Sequence, residues 1–261
     1  MKHPEVQYLY KYMKFERALE VVKTGKIFFP TAEKFNDPFD CNIQFDPEIS
    51  PEEFVGALFR RYKAVGNNWN SIKTILDEYL NEDGSISETK RDENRKIAED
   101  FNESNAKLGI LSLTEDPLSL LMWAHYGDYH RGVCIGFERV EGIILADEEV
   151  TSKVDYSDVY PLARFSEILM SDGSLSRKIL RTKACDWAYE KEWRLMIGQG
   201  NQLSKVPGQI KHVVLGLRMP QDEVLKFMKE CKDRNVELYQ CKKVPGKFKL
   251  SMQKYPREKL D

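Results

Sequence analysis

Two glutamates separated by a single residue are the side chains most able to do chemistry in this sequence. Glu190 and Glu192 belong to the segment 187–195, which is WAYEKEWRL. In a β-strand, residues two apart point to the same face, so both carboxylates are expected at one site. Close carboxylates repel each other, and the pKa of one should rise unless a cation lies near. Lys183 and Arg194 are the nearest candidate cations in the sequence.

The same segment contains two tryptophans, Trp187 and Trp193. A Glu-X-Glu pattern by itself is more often a solvated edge strand whose carboxylates pair with lysines. Large aromatic side chains are costly to expose, however, and they favour a groove in which aromatic walls and carboxylates meet. The segment is therefore predicted to line a ligand site.

A second group of candidates is the sequence MWAHY, which contains Trp123, His125 and Tyr126 and is followed by His130. The two histidines are five residues apart rather than four, and the pattern HExxH is absent. A zinc site is therefore not expected, and no metal ligands are assigned. The ordinary interpretation of each histidine is a packed or hydrogen-bonded core residue.

Two further groups lie near the amino terminus. The loop FNDPFD supplies short acceptors at Asn36, Asp37 and Asp40, which can orient a ribose, bind a cation or satisfy the backbone of the loop itself. The last of these uses is the most frequent. The opening run places Lys11 between two tyrosines, Tyr10 and Tyr12, and alternate aromatics of this kind are normally core residues.

The elements that must position these residues alternate irregularly between helix and strand. The patterns predict strands near residues 6–13, 27–29, 109–115, 132–138, 150–156, 210–219, 236–244 and 247–253, and they predict that the segment 187–198 opens in a turn and continues as a strand. They predict helices near residues 15–24, 117–130, 161–184 and 221–235, the second of them capped by Asp116. Residues 50–108 are expected to form a helical insertion.

This mixed order predicts an α+β fold with a split, mostly antiparallel sheet flanked by helices, rather than a Rossmann fold. We expect one domain over residues 1–261, within which the insertion lies. The phosphate-binding patterns GxGxxG and GxxxxGK[ST] are absent.

The overall composition limits the class of protein. The charged fraction is 31%, the net charge is −2, and the five cysteines are scattered without a CxxC pair. These features, with no apolar run long enough to span a membrane, predict a cytoplasmic protein with reduced thiols and no membrane partner. A local basic patch stays open beside the commoner alternative of a solvated tail, because cations gather near the carboxyl end at Lys242, Lys243, Lys247, Lys249, Lys254, Arg257 and Lys259.

Six motifs taken in order resemble a bacterial family known as a domain of unknown function. They are LYKY, GKIFFPTAEKFNDPFDC, LSLTED, LMWAHYGDYHRGVCIGF, KACDWAYEKEWRL and VVLGLRM, and they extend over nearly the whole chain outside the helical insertion. The layout of the family looks like a distant version of the ADP-ribosyltransferase fold, which includes bacterial DNA-modifying toxins and abortive-infection proteins.

That resemblance implies NAD as the cofactor and a glutamate strand of the ExE type, which Glu190-Lys191-Glu192 matches. It implies Glu192 as the catalytic residue and Glu190 as its helper. A carboxylate beside the ribose would stabilise the positive charge that develops as nicotinamide leaves. The cofactor-pocket candidates are Tyr10, Lys11, Tyr12, Asn36, Asp37, Trp123, His125, Tyr126 and Lys183.

The sequence departs from the ADP-ribosyltransferase pattern at two points. It has no clear first-strand His or Arg, and it has no plain Ser-Thr-Ser strand. Our first hypothesis is an NAD-dependent transferase in phage defence or a toxin system, acting on a nucleic-acid or protein acceptor. One alternative is a non-catalytic nucleotide-binding sensor or interaction module of a defence system. Another is a nuclease that holds Mg²⁺ through Asp37, Asp40, Glu190 and Glu192, since hard oxygen ligands suit that ion.

Overall fold

The computed structural model describes residues 3–42, 44–46, 50–65, 69–164, 167 and 173–255. The chain divides into two compact units. The first contains residues 1–31, 109–154 and 185–261, and the second contains residues 32–108 and 155–184. A single domain over residues 1–261 stays a prediction.

The described secondary structure is mixed, as expected of an α+β protein. The strands are β1 (Tyr8–Met13), β2 (Lys26–Phe29), β3 (Gln44–Asp46), β4 (Gly109–Thr114), β5 (Val133–Glu138), β6 (Thr151–Lys153), β7 (Asp155–Ser157), β8 (Leu162–Arg164), β9 (Thr182–Ala184), β10 (Glu192–Ile197), β11 (Gln202–Lys205), β12 (Ile210–Leu215), β13 (Glu237–Lys243) and β14 (Leu250–Lys254). The helices are α1 (Phe15–Thr24), α2 (Pro51–Val65), α3 (Trp69–Tyr79), α4 (Glu88–Ala106), α5 (Leu120–His125), α6 (Ser174–Arg181) and α7 (Gln221–Cys231). Short 3-10 turns cover Ala32–Lys34, Ile144–Ala146 and Cys185–Glu190.

The first unit is built on an eight-stranded sheet in the order β14-β13-β12-β5-β1-β4-β10-β6. All of its neighbouring strands are antiparallel except β12 and β13. This confirms the predicted mostly antiparallel sheet. Strand β1 pairs with β5 along its whole length but meets β4 at a single register pair, Tyr10 with Thr114. The sheet is therefore joined at one point between its two halves.

One face of this sheet is the main hydrophobic core. It buries alternate residues such as Leu9, Leu111 and Leu195 under α1 and α7. Helix α1 supplies Ala18, Val21 and Val22 at the three- and four-residue spacing of an amphipathic helix. It ends at Gly25, whose φ of 65° is the left-handed conformation that a helix terminus commonly needs.

The opposite face, which we call the polar face, has a different composition. The registers place on it Tyr8, Tyr10, Tyr12, Thr114, Glu192, Arg194, His212 and Tyr239. Helix α5 packs here through Met122 and Trp123. One feature of α5 corrects the sequence prediction, because its amino-terminal cap is Ser119, whose side chain accepts from the Met122 amide. Asp116 instead accepts from the Leu118 amide at 2.8 Å.

The second unit contains the three helices α2, α3 and α4 within the stretch expected to be a helical insertion. Ser50 caps the amino terminus of α2, and its hydroxyl accepts from the Glu53 amide at 3.1 Å. The expected helix at 161–184 is wrong over part of its length. Strands occupy Leu162–Arg164 and Thr182–Ala184, α6 lies between them, and residues 165, 166 and 168–172 are outside the described residues. Across the described residues, no helix combines the length and the apolar character needed to cross a membrane.

Candidate functional site

The two glutamates of the ExE pattern lie in different secondary structure. Glu190 ends the 3-10 turn Cys185–Glu190, whereas Glu192 is the first residue of β10. Lys191 between them has a φ of 46° in the left-handed region. Glu190 and Glu192 were expected to point to the same face of one strand, and this prediction is wrong. Lys191 has a left-handed backbone conformation, so residues 190–192 do not form a continuous strand. Both side chains are nevertheless buried in the first unit.

Glu192 forms a bidentate ion pair with Arg194. Arg194 Nε donates to Oε1 at 3.0 Å and Nη2 donates to Oε2 at 3.0 Å. The exposed fractions of the two side chains are 3% for Glu192 and 0% for Arg194. Arg194 is thus one of the two cations expected near the acids. Lys183, the other, contacts Asp40 in the second unit, with Nζ 3.3 Å from Oδ2.

Glu190 is held by two contacts that differ in kind. Its Oε1 accepts from the Tyr126 hydroxyl at 2.7 Å. Its main-chain carbonyl accepts from the Thr114 hydroxyl at 2.6 Å. Thr114 is also the register partner of both Tyr10 and Glu192, so these three residues form one row across the joint of the sheet. The row and the two contacts fix the Glu190 turn against the polar face.

Four partly or fully exposed aromatic side chains lie on or beside this turn. We call them the aromatic rim, and they are His125, Tyr126, Trp187 and Tyr189. His125 Nδ1 lies 3.0 Å from the Tyr189 hydroxyl. The Trp187 and Tyr189 rings are 6.1 Å apart, and His125 meets both tyrosines edge-on. Of the predicted cofactor candidates, His125 and Tyr126 are therefore beside Glu190.

Three other predicted pocket residues, Tyr10, Tyr12 and Trp123, are buried in the core. Trp123 has no exposed surface, and its Nε1 donates to the Pro117 carbonyl at 3.0 Å. Tyr12 packs edge-on against Trp123 and donates its hydroxyl to the Asp116 carbonyl at 2.7 Å. Burial raises the pKa of both tyrosines above the usual range. These three side chains are packed as structural residues, so direct stacking on a ligand would require them to move.

The remaining cofactor candidates lie in other surroundings. Lys11 alternates with Tyr10 and Tyr12 along β1, so its side chain is on the opposite face of the sheet. Asn36 and Asp37 belong to the second unit. Asp37 Oδ1 accepts from the Phe39 amide at 2.9 Å, which is the backbone-satisfying role that loops of this composition commonly need.

Trp193 is also a core residue, which weakens the sequence argument for a groove. Trp193 follows Glu192 in the sequence but points to the main core on the other face of the sheet. Its Nε1 donates to Glu115 Oε1 at 2.7 Å. The Arg139 guanidinium lies 4.8 Å from its ring. Only Trp187 of the two tryptophans contributes to the aromatic rim.

His212 is a residue that sequence reasoning missed. Its Nδ1 is hydrogen-bonded to the Tyr10 hydroxyl at 2.9 Å, and its ring lies 4.3 Å from that of Tyr8. Burial lowers its pKa, an effect that Glu237 opposes. Gly136 makes room for this arrangement, because a Cβ there would lie 2.6 Å from the Tyr10 ring. The signal in the sequence was a lone histidine inside an apolar strand, which by itself indicates no partner.

The described residues also bear on metal binding. Among the residues that the structure describes, no group of three or more His, Cys, Asp or Glu side chains is placed to hold a metal ion. Asp40, one of the ligands proposed for a magnesium site, is paired with Lys183.

Comparison with known proteins gives one similarity to a family and no activity. A search of curated proteins gave no match, and a search of solved structures gave none either. A family model does match residues 122–195, a stretch that includes most of α5, all of β5, the Glu190 turn and the start of β10. It covers less than a third of the chain but contains His125, Tyr126, Glu190 and Glu192. The segment 122–195 is therefore similar to the family DUF2971, which is described as a protein of unknown function.

Proposed function

We propose that this chain binds an NAD-type dinucleotide beside the Glu190 turn and transfers the ADP-ribose portion to a nucleic-acid or protein acceptor. The observation that carries the proposal is the contact between Tyr126 and Glu190, which joins an aromatic rim to a fixed carboxylate. The row of Tyr10, Thr114 and Glu192 also supports the proposal. Thr114 of this row donates to the Glu190 carbonyl, which holds Glu190 where the two halves of the sheet meet.

The two glutamates are assigned different roles by their contacts. Glu192 has both oxygens engaged by Arg194, so its charge is largely neutralised. Glu190 accepts through Oε1 from the hydroxyl of Tyr126, a member of the aromatic rim, and a carboxylate in that place would stabilise positive charge that develops on a ligand held by the rim. We therefore propose Glu190 as the reacting carboxylate and Glu192 as the residue that, with Arg194, positions the start of β10. This exchanges the two roles that the family resemblance implied.

The aromatic rim fits one part of such a ligand. Its rings are partly or fully exposed, unlike those of Tyr10, Tyr12 and Trp123, and flat aromatic surfaces stack on nicotinamide or adenine. His125, Tyr126, Trp187 and Tyr189 would hold the base, and Tyr126 would keep Glu190 oriented. The bound dinucleotide would supply an electrophilic ribose carbon with nicotinamide as its leaving group.

Transfer of label from NAD tests the proposal. Purified chain is incubated with NAD labelled in the adenylate phosphate together with single-stranded DNA, RNA or a protein extract. We expect a labelled product with the wild type and a loss of about a hundredfold or more with Glu190→Gln. Glu141→Gln, which changes an exposed glutamate in the same unit, is the matched control and should retain transfer. Absence of any labelled product from the folded wild type contradicts the proposal.

The second candidate is a nucleotide-binding sensor without turnover. It is favoured by one observation, the neutralised and buried state of Glu192, since that residue is the expected catalytic acid in the resembled family. Calorimetry separates the two candidates. Saturable NAD binding that is weakened by Trp187→Ala, with no labelled product and no nicotinamide released, supports the sensor. The nuclease alternative lacks such support, because no group of three or more His, Cys, Asp or Glu side chains in the described residues is placed to hold a metal ion.

A further inference from the structure

The hairpin formed by β13 and β14 ends in a loop that the proposed function does not use. We call residues 242–249 the basic tip. It contains four exposed lysines, Lys242, Lys243, Lys247 and Lys249. Between two of them is Phe248, whose exposed fraction of 101% is the highest of the large hydrophobic residues that the structure describes. The basic tip therefore presents one aromatic ring to solvent between two cations.

The basic tip is a defined turn rather than a solvated tail. The Val244 amide donates to the Lys249 carbonyl at 3.0 Å, and the Lys247 amide donates to the Val244 carbonyl at 3.2 Å. Pro245 and Gly246 occupy the centre of the turn, and the φ of Gly246 is 69°, as a type II turn requires. The hairpin therefore holds Phe248 outward in one place. Of the cations that raised the question of a tail, Arg257 and Lys259 are outside the described residues.

The charge of the basic tip is not balanced locally. No acidic residue occurs in the sequence from residue 238 to residue 255, which contains five lysines. None of the four tip lysines forms an ion pair with any residue that the structure describes, whereas Lys226 and Lys254 pair with Asp222 and Glu237. The whole chain has a net charge of −2, so the basic tip differs in sign from the chain as a whole.

We propose that the basic tip binds single-stranded nucleic acid. In sequence-tolerant single-strand binding, an exposed aromatic ring stacks on a base while neighbouring cations contact the phosphates. Phe248 between Lys247 and Lys249 provides both elements within three residues. A membrane surface is the less favourable partner, because interfacial anchors present a continuous apolar face and the tip offers a single ring. The inference goes beyond the proposed function and stands without it.

Fluorescence anisotropy tests this proposal with the full chain. The probes are fluorescein-labelled single-stranded RNA and DNA of about a dozen nucleotides, their duplexes, and, separately, vesicles of phosphatidylcholine with phosphatidylserine. We expect single strands of either type to bind at low salt. Phe248→Ala should weaken binding about tenfold. The double variant Lys247→Glu with Lys249→Glu should weaken it further and lower the dependence on salt by about 0.7 in log–log slope for each phosphate that is no longer neutralised.

Matched controls change the same chemistry elsewhere. Phe39→Ala removes an exposed phenylalanine of the second unit, and Lys26→Glu with Lys205→Glu alters the charge equally on the β2–β11 pair. Both should leave binding unchanged. The proposal is overturned if the wild type binds no single strand, if tip and control variants behave alike, or if only the anionic vesicles are bound. Equal binding of duplex and single strand that Phe248→Ala does not alter also overturns it.

Discussion

Arg194 binds both carboxylate oxygens of Glu192 from two residues further along the same strand, and both side chains are buried. Glu192, the acid that the ADP-ribosyltransferase resemblance implies as catalytic, therefore forms an internal ion pair. Its neighbour Glu190, which precedes the strand, is bonded to the partly exposed Tyr126 instead. Because their contacts differ, substitutions at Glu192 and at Glu190 should have different effects on stability and on activity.

Breaking the Glu192–Arg194 pair should destabilise the fold. Arg194→Met leaves a buried carboxylate without its counter-ion, and we expect the free energy of unfolding to fall by about 3–5 kcal/mol. The double variant Arg194→Met with Glu192→Leu should lose less than the two single variants together, since it buries no unpaired charge. Urea unfolding followed by circular dichroism measures both. Lys226→Met, which breaks the exposed pair with Asp222, should cost under about 1 kcal/mol. A loss as large as that of Arg194→Met would contradict a special contribution of the buried pair to stability.

Removal of one hydroxyl should affect the site more than the fold. Tyr126→Phe deletes the hydrogen bond to Glu190, and we expect a loss of about 1.5 kcal/mol or less in stability because Tyr126 is partly exposed. NAD turnover should fall in the same variant, because Glu190 is no longer oriented. Tyr129→Phe is the control, since Tyr129 is two-thirds exposed and lies outside the aromatic rim. Full turnover in Tyr126→Phe would exclude a positioning role for this hydroxyl.

Acidification should weaken the polar face through His212. Burial lowers the pKa of His212 in the fold below its ordinary value of about 6.5. The unfolded chain then takes up a proton at a higher pH than the folded chain, so stability is present above about pH 6.5 and is lost as the pH falls through the folded pKa. We expect the melting temperature to fall less between pH 7 and pH 5 in His212→Gln than in the wild type. Identical pH dependence in both would show that His212 does not contribute.

Gly136 should tolerate no side chain. A Cβ at this position would meet the Tyr10 ring at 2.6 Å and His212 Cβ at 3.0 Å, and Tyr10 is buried and cannot swing into solvent. Gly136→Ala is expected to lower the free energy of unfolding by about 1–3 kcal/mol. The comparison is Gly198→Ala, where a Cβ meets nothing within 4 Å. Similar losses in the two variants would contradict the proposed close approach.

Much of the fold follows from local patterns, and the site does not. Alternate residues predict β1 and β4, short apolar runs predict β5 and β12, and the spacing of Ala18, Val21 and Val22 predicts α1. The prediction of one helix over residues 161–184 fails because short strands flank α6, and three-residue strands leave too few positions for a period to show.

The candidate site depends on long-range pairing that spacing cannot supply. Tyr126 and Glu190 are far apart in sequence, and their contact depends on how α5 and the Glu190 turn meet the sheet. The left-handed Lys191 breaks the strand argument for Glu190 and Glu192, since nothing about a lysine indicates a positive φ. Alternation alone does separate Lys11 from Tyr10 and Tyr12, and that distinction can be drawn from the sequence.

The most direct test of the central claim is the rate of nicotinamide release from NAD by the purified full chain and its two glutamate variants. The account predicts release by the wild type, near-complete loss in a folded Glu190→Gln, and a smaller loss in Glu192→Gln that follows its lower stability. Circular dichroism and thermal melting establish that each variant is folded. Undiminished release by Glu190→Gln, or loss confined to a fully folded Glu192→Gln, would contradict the assignment of Glu190 as the reacting carboxylate.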